Sequence, residues 1–283
     1  MLRQNAVVGV QATFDNDGRL ARVGITCALC HSTVDNALLT GIGHRLDGWP
    51  NRDLNVGAII ALSPAITEQQ KAVYRSWGPG KYDPRFNIDG KNTPLVLPPA
   101  YGLAKIDNET YTGEGPISYW NAYVAVTQMH GQGTFSDPRL NIDVKHAPDL
   151  VTPKLPALRA YQLSLSAPVP PAGSVDLAAA QRGRAVFERA CVMCHVGGTG
   201  TDNSNGGKIH APSETGVDGA YAARTVNKGY RATPLRALWQ HPPYFHDGSA
   251  ATLADVVAHY NRVRALDLTA QQQIELVEYL KSL

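Results

Sequence analysis

The sequence predicts a mainly α-helical protein made of two domains with extensive irregular loops, and three observations predict it. The pattern Cys-x-x-Cys-His occurs once in each half, as Cys27-Ala-Leu-Cys30-His31 and as Cys191-Val-Met-Cys194-His195. Between them, Ala167-Pro-Val-Pro-Pro-Ala-Gly173 is short, proline-rich and free of helical periodicity, which makes it a stiff connector. Apolar residues recur at helical spacing in the run that enters the second pattern and again at the C-terminus. The domains are placed at 1–166 and 174–283, with 167–173 as linker, and 283 residues suit two domains of ordinary size.

The two patterns use every cysteine in the chain. Thiols at i and i+3 can form thioether bonds to the two vinyl groups of one porphyrin, and the next residue places an imidazole under the iron. Cys27, Cys30, Cys191 and Cys194 are therefore expected to attach two hemes c, with His31 and His195 as proximal ligands, one in each of two cytochrome c-like heme domains. A thioredoxin-like redox pair would need a βαβ context, and a zinc site would need further Cys or His ligands. Neither explains a histidine after both pairs, and no disulfide is expected.

Along the first domain, Gly78–Gly115 is dense in Gly, Pro, Asn and Asp, which favours turns and implies loops wrapped around a cofactor. Leu155, Leu158, Tyr161 and Leu165 form a closing apolar helix that resembles Leu276-Val-Glu-Tyr279-Leu-Lys-Ser-Leu283. Lys91-Asn-Thr-Pro-Leu95 likewise echoes Arg231-Ala-Thr-Pro-Leu235, in the same order after each heme motif, which suggests duplication. In the second domain, Asp176 caps a helix over Leu177–Ala190 with apolar residues at Ala180, Val186, Phe187 and Ala190, and Gly183 leaves room for another helix to approach. Thr269 caps Ala270–Leu283, where Ile274, Val277, Leu280 and Leu283 make one apolar face.

Charged residues are 18% of the chain, the formal net charge is +2, and no basic block occurs, so no nucleic-acid partner is expected. The longest apolar stretch, around Val56 to Leu62, is too short to span a bilayer, and the N-terminus lacks a signal-peptide pattern. Covalent heme attachment by the bacterial machinery takes place outside the cytoplasm. The motif thus implies a periplasmic or otherwise exported protein whose export signal preceded Met1.

The segment Tyr230-Arg-Ala-Thr-Pro-Leu-Arg-Ala-Leu-Trp-Gln-His-Pro-Pro-Tyr244-Phe-His-Asp-Gly-Ser249, with the following Ala-Ala-Thr-Leu-Ala-Asp-Val-Val-Ala-His-Tyr260-Asn, resembles the bacterial diheme cytochrome c peroxidases. It is more similar still to their tyrosine-ligated relatives that oxidise a protein tryptophan to form tryptophan tryptophylquinone. The resemblance covers about 180–283 and is faint over the first domain. Fourteen positions after the histidine of Pro-Tyr-Phe-His, the peroxidases carry a ligating methionine and the tryptophan-oxidising relatives a tyrosine; here that position is Tyr260. No methionine follows Met193, so the resemblance implies tyrosine ligation or an open site. An anionic phenolate favours ferric and higher oxidation states. The alternatives are His259 as ligand, or Tyr260 as a core aromatic. His246 is assigned to the surroundings of the heme rather than to the iron, and His241 to a solvated loop. The family also holds calcium between its hemes, which implies Asn92 of Asn92-Thr-Pro94 and the carbonyls of His241 and Pro243 as ligands, a donor set suited to a hard cation.

The sixth position of the first heme decides between functions. The family's distal loop falls in Tyr119–Asp137, where Met129-His130-Gly-Gln132-Gly occurs. His130 is a candidate general base or iron ligand, Met129 a ligand, and Gln132 and Glu114 polar groups for handling peroxide. His130 lining a glycine-rich loop is the bland reading. The family's acidic distal phrase and its first-domain Trp-Asp-Gly-Arg are absent. His44 and His146 are expected at the surface, and Trp49, Trp77, Trp120 and Trp239 in cores. The leading expectation is a peroxidase-like diheme oxidoreductase that takes hydrogen peroxide and a redox partner protein, such as a small cytochrome, a cupredoxin or a protein substrate. The alternatives are a pure electron-transfer cytochrome with both irons six-coordinate, and a heme protein without turnover.

Overall fold

The computed structural model describes residues 1–87, 89–203 and 207–283, and the chain divides into two units, Met1–Tyr101 and Gly102–Leu283. Residues 102–166 thus belong with the C-terminal unit, while the heme-domain boundary at 167–173 stands as a proposal. The helix-rich, loop-rich character follows the sequence expectation. Four two-stranded antiparallel sheets among the described residues do not.

The first unit opens with a hairpin, β1 (Val10–Phe14) against β2 (Leu20–Ile25). Asp15 Oδ1 accepts from the Asp17 and Arg19 amides, and Gly18 sits at φ +77°, so Asp17-Gly18 supplies the turn. A single helical turn, α1 (Ala28–His31), carries the first heme motif and leads directly into β3 (Ser32–Val34), which pairs with β4 (Arg45–Asp47). Next come α2 (Val56–Ile60), capped by Asn55, and α3 (Glu68–Ser76), closed by a Thr67–Gln70 capping box. Ala61, Tyr74 and Trp77 form their core. The turn-rich stretch holds only the short pair β5 (Lys81–Tyr82) and β6 (Leu95–Val96). Its buried Asp83 accepts from the Arg85 and Phe86 amides, so side-chain acceptors replace the ladder bonds these residues lack.

In the second unit, α4 (Ile117–Tyr123) runs into a π-helical turn, Val124–Gln128. The hairpin β7 (Thr134–Asp137) and β8 (Ile142–Lys145) follows, and Trp120, Tyr123, Val126 and Phe135 make the local core. Helix α5 (Leu155–Ser164) packs on α4. Its expected apolar face is corrected at one point: Tyr161 is exposed, and the neighbouring Gln162 is buried, trading amide hydrogen bonds with Asn121.

Helix α6 spans Leu177–Ala190, and Asp176 accepts from the Ala179 amide at its start. It packs on α9 (Ala270–Ser282), which begins with a Thr269–Gln272 capping box, and α8 (Leu253–Val263) packs on α9. Val186, Phe187, Leu253, Val257, Leu276 and Leu280 form the shared core, each side chain contributing about 1.5–3 kcal/mol by burial. A Cβ on Gly183 would lie 1.9 Å from the Glu275 carbonyl oxygen, so only glycine permits this helix contact. The face expected on α9 is also shifted. Ile274 is exposed, whereas Leu276 is buried beside a buried Glu275 that accepts from Arg182 Nε at 2.5 Å. Among the described residues no helix is long and apolar enough to cross a membrane.

Candidate heme sites

The first motif is a turn held from both sides. Leu29 N donates to the Thr26 carbonyl and His31 N to the Cys27 carbonyl, at 3.0 and 3.1 Å. Gly9, at φ +76°, lies so close beneath the turn that a Cβ would meet Leu29 N at 2.1 Å. After the turn, Gly48 N bonds the His31 carbonyl, Asn51 N the Cys30 carbonyl, and the Asn51 amide the Leu29 carbonyl, all at 2.9–3.0 Å. His31 Nδ1 is 3.1 Å from the Pro98 carbonyl oxygen. A carbonyl only accepts, so Nδ1 carries the proton and Nε2 keeps its lone pair for iron. Burial holds this imidazole below its ordinary pKa, which favours the neutral form a metal needs.

The second motif begins where α6 ends. Cys191 N still bonds the Phe187 carbonyl at 2.8 Å, and His195 N returns to the Cys191 carbonyl at 3.1 Å. His195 Nδ1 lies 2.8 Å from the Gly200 carbonyl, repeating the arrangement at His31, and burial again lowers the imidazole pKa. Gly200 is left-handed at φ +64°, with Leu235 N where a Cβ would lie 2.9 Å away. No disulfide joins any of the four cysteines. Paired thiols on one turn, with a neutral imidazole oriented by a backbone carbonyl, fit heme c at both motifs.

Tyr260 and His259 are adjacent on α8 and have different neighbours. The half-buried Tyr260 phenol is pushed up to about 12, chiefly by desolvation and then by Cys194 and Cys191. His259 Nε2 instead lies 2.8 Å from the Thr215 carbonyl. Phe245, at φ +64°, packs against both, 4.8 Å from the His259 ring and 5.9 Å from the Tyr260 ring. His246 is buried, stacked on Tyr230 at 4.3 Å, with Nε2 3.0 Å from the Tyr230 hydroxyl. His241, expected in a solvated loop, is also buried and packs at 5.8 Å from Tyr244. Pro242 beside it stays exposed, so residue type alone does not reveal the burial of this imidazole.

The remaining candidates are placed as follows. Met129 and His130 terminate the π-helical turn, and His130 is exposed and left-handed at φ +53°, a strained position of the kind found at functional sites. Gln132 is exposed and donates to the Ala147 carbonyl at 2.8 Å. Glu114 is buried, with Oε1 accepting from the Val226 amide at 2.8 Å. Asn92 is exposed shortly before β6. His44 and His146 lie at the surface, His44 bonded to Asp35. Trp77 and Trp120 are buried in their cores.

Sequence reasoning missed His210. It is buried, with Nδ1 3.1 Å from Glu214 and Nε2 3.0 Å from Asp202, and the ligand atoms of Cys194, Asp202 and His210 lie within 4.8 Å of one another. The available signal was His210 and Glu214 at i,i+4 around the short helix α7 (Pro212–Thr215).

Residues 178–259 match the family described as cytochrome C oxidase, cbb3-type, subunit III, so this segment is a cytochrome c-type domain. No curated protein matches the chain. Among solved structures, the chain is similar to a Kuenenia stuttgartiensis hydrazine synthase, at 19% identity and TM-score 0.46 over 68% of this chain and 73% of that one. It is also similar to a MauG-like protein associated with microbial copper homeostasis, at 22% identity and TM-score 0.46 over 69% and 75%.

Proposed function

We propose that this chain is an exported, peroxidase-like diheme c-type oxidoreductase. The observation that carries the reading is the pair of Cys-x-x-Cys-His turns, each with its histidine Nδ1 tethered to a backbone carbonyl, which leaves Nε2 as the nitrogen that would ligate iron. Heme bound at each turn would supply an iron that exchanges single electrons, with peroxide as the oxidant taken at the N-terminal site. Cys27, Cys30 and His31 hold the first group. Cys191, Cys194, His195 and Tyr260 hold the second, and Tyr260 biases it toward the ferric state. His130, Gln132 and Glu114 would move and orient protons of the bound peroxide, with Met129 as the competing ligand, and calcium held through Asn92 belongs to the same proposal. The electrons come from a redox partner protein.

A second reading, a pure electron carrier, is favoured by the engagement of Glu114 with the Val226 amide. Optical and EPR spectra of the ferric protein separate the two. A high-spin signal that disappears on adding peroxide supports the oxidoreductase, and two low-spin signals indifferent to peroxide support the carrier.

A further inference from the structure

Within the second unit, Glu109–Gly115 folds back along Val226–Arg231. Arg231 N bonds the Tyr111 carbonyl, Asn227 Nδ2 the Thr112 carbonyl, and Val226 N the Glu114 carboxylate, at 2.8–2.9 Å. This fold-back buries the Arg231 and Glu109 side chains to 8% and 9% exposure. Arg231 Nε donates to the Thr110 carbonyl, which is turned toward it because Thr110 is left-handed at φ +63°. The rest of the guanidinium is poorly matched. Nη2 stands 3.8 Å from Glu109 Oε2, beyond hydrogen-bond distance, and both Arg231 Nη1 and Glu109 Oε1 are buried without a partner.

The charges are also unbalanced. Arg236 is a second cation acting on Glu109, and its Nη2 is already donated to the Ala104 carbonyl at 3.3 Å. Two cations thus act on one carboxylate, and of them only Arg231 is buried. A buried guanidinium with a donor left over is expensive unless an acceptor completes it. The next residues lead to the second motif: the Ala232 carbonyl accepts from Thr201 Oγ1, and the Thr233 backbone bonds the His195 imidazole. Arg231 thus lies two residues along the chain from a backbone contact to the proximal histidine.

We infer that Arg231 Nη1 binds a propionate carboxylate of the heme held by Cys191, Cys194 and His195, and that Glu109 positions the guanidinium for it. The inference rests on heme attachment at the second motif and goes beyond it by assigning the group that neutralises the porphyrin's acid side chain. Arg231 sets the potential of that heme, because a cation on a propionate offsets a negative charge that otherwise stabilises ferric iron.

The test uses the heme-loaded protein and the variants Arg231→Gln, Arg231→Lys and Glu109→Gln. Heme content is measured first, by pyridine hemochromogen, then each heme's midpoint potential by spectroelectrochemistry and the propionate bending band by resonance Raman. Arg231→Gln should lower the potential of the second heme, leave the first unchanged and shift the propionate band. Glu109→Gln should raise the same potential, and Arg231→Lys should fall between wild type and Arg231→Gln. A merely structural role would not move the two potentials in opposite directions. With heme content normal, an unmoved second potential and propionate band overturn the inference. Should Arg231→Gln fail to fold, unmoved values in both Arg231→Lys and Glu109→Gln overturn it equally. Wild-type protein lacking heme at Cys191 and Cys194 would instead sink the functional reading itself.

Discussion

Replacing Gly183 by alanine tests the closest contact in the second unit. The new Cβ would meet the Glu275 carbonyl oxygen at 1.9 Å, its carbon at 2.4 Å and Leu276 N at 2.9 Å. All three are backbone atoms, so no side chain can swing aside. A carbon–oxygen contact needs about 3.3 Å, so α6 and α9 would have to part by roughly 1.4 Å. Overpacking of this kind costs up to about 3 kcal/mol, and glycine-to-alanine in a helix returns about 1 kcal/mol. The net loss is about 2 kcal/mol, which for a unit of this size lowers Tm by about 4–8 °C. Thermal unfolding followed by far-UV circular dichroism reads it directly. Helix propensity alone predicts the opposite sign, so a Gly183→Ala protein melting at or above wild type would refute the packing argument.

Replacing Cys27 and Cys30 together by serine should remove one of two covalent hemes, seen by mass spectrometry as the loss of one heme increment; an unchanged mass increment would count against attachment there. Tyr260→Phe should alter the ferric EPR signal of the second heme and leave the first as it is, whereas an unaltered pair of signals rules out Tyr260 as ligand. The buried Asp137 carboxylate accepts from Arg139 Nη2 at 2.7 Å and Tyr119 Oη at 2.6 Å, and these bonds hold its pKa well below the ordinary carboxylate value. A depressed acid stabilises the fold above its unfolded pKa and loses that contribution as pH falls toward the folded value. Asp137→Asn should therefore cost about 1–3 kcal/mol at pH 7, discounted for the half-exposed Arg139. In urea titrations the gap to wild type should close between about pH 4 and pH 2; a gap independent of pH would contradict the charge assignment.

What the sequence made legible was local chemistry. Asp176 and Thr269 announce their helices because a capping side chain bonds its own third neighbour, and both heme turns are contained in five residues. The β1–β2 hairpin is equally local, because Asp15 and Gly18 shape its turn within a few residues. Long-range facts were harder. Ile274 and Tyr161 have the right spacing yet point outward, because the buried slots beside them go to Glu275 and Gln162, whose polar groups find partners on other helices. His210 and His241 became buried through loops that bring Asp202, Glu214 and Tyr244 to them. Those partners are near in sequence, but the burial of both imidazoles comes from the packing of the surrounding loops.

The two carbonyl tethers differ in how much chain they enclose. The one at His195 spans 5 residues and the one at His31 spans 67. By the logarithmic dependence of ring closure on length, the wider one carries an entropic handicap of about 2.3 kcal/mol. The C-terminal histidine can be aimed almost as soon as its own loop exists, whereas the N-terminal one waits for about a quarter of the polypeptide to return. Refolding should accordingly orient the downstream imidazole first, and a nick in the connecting segment should disturb the upstream centre far more than its counterpart.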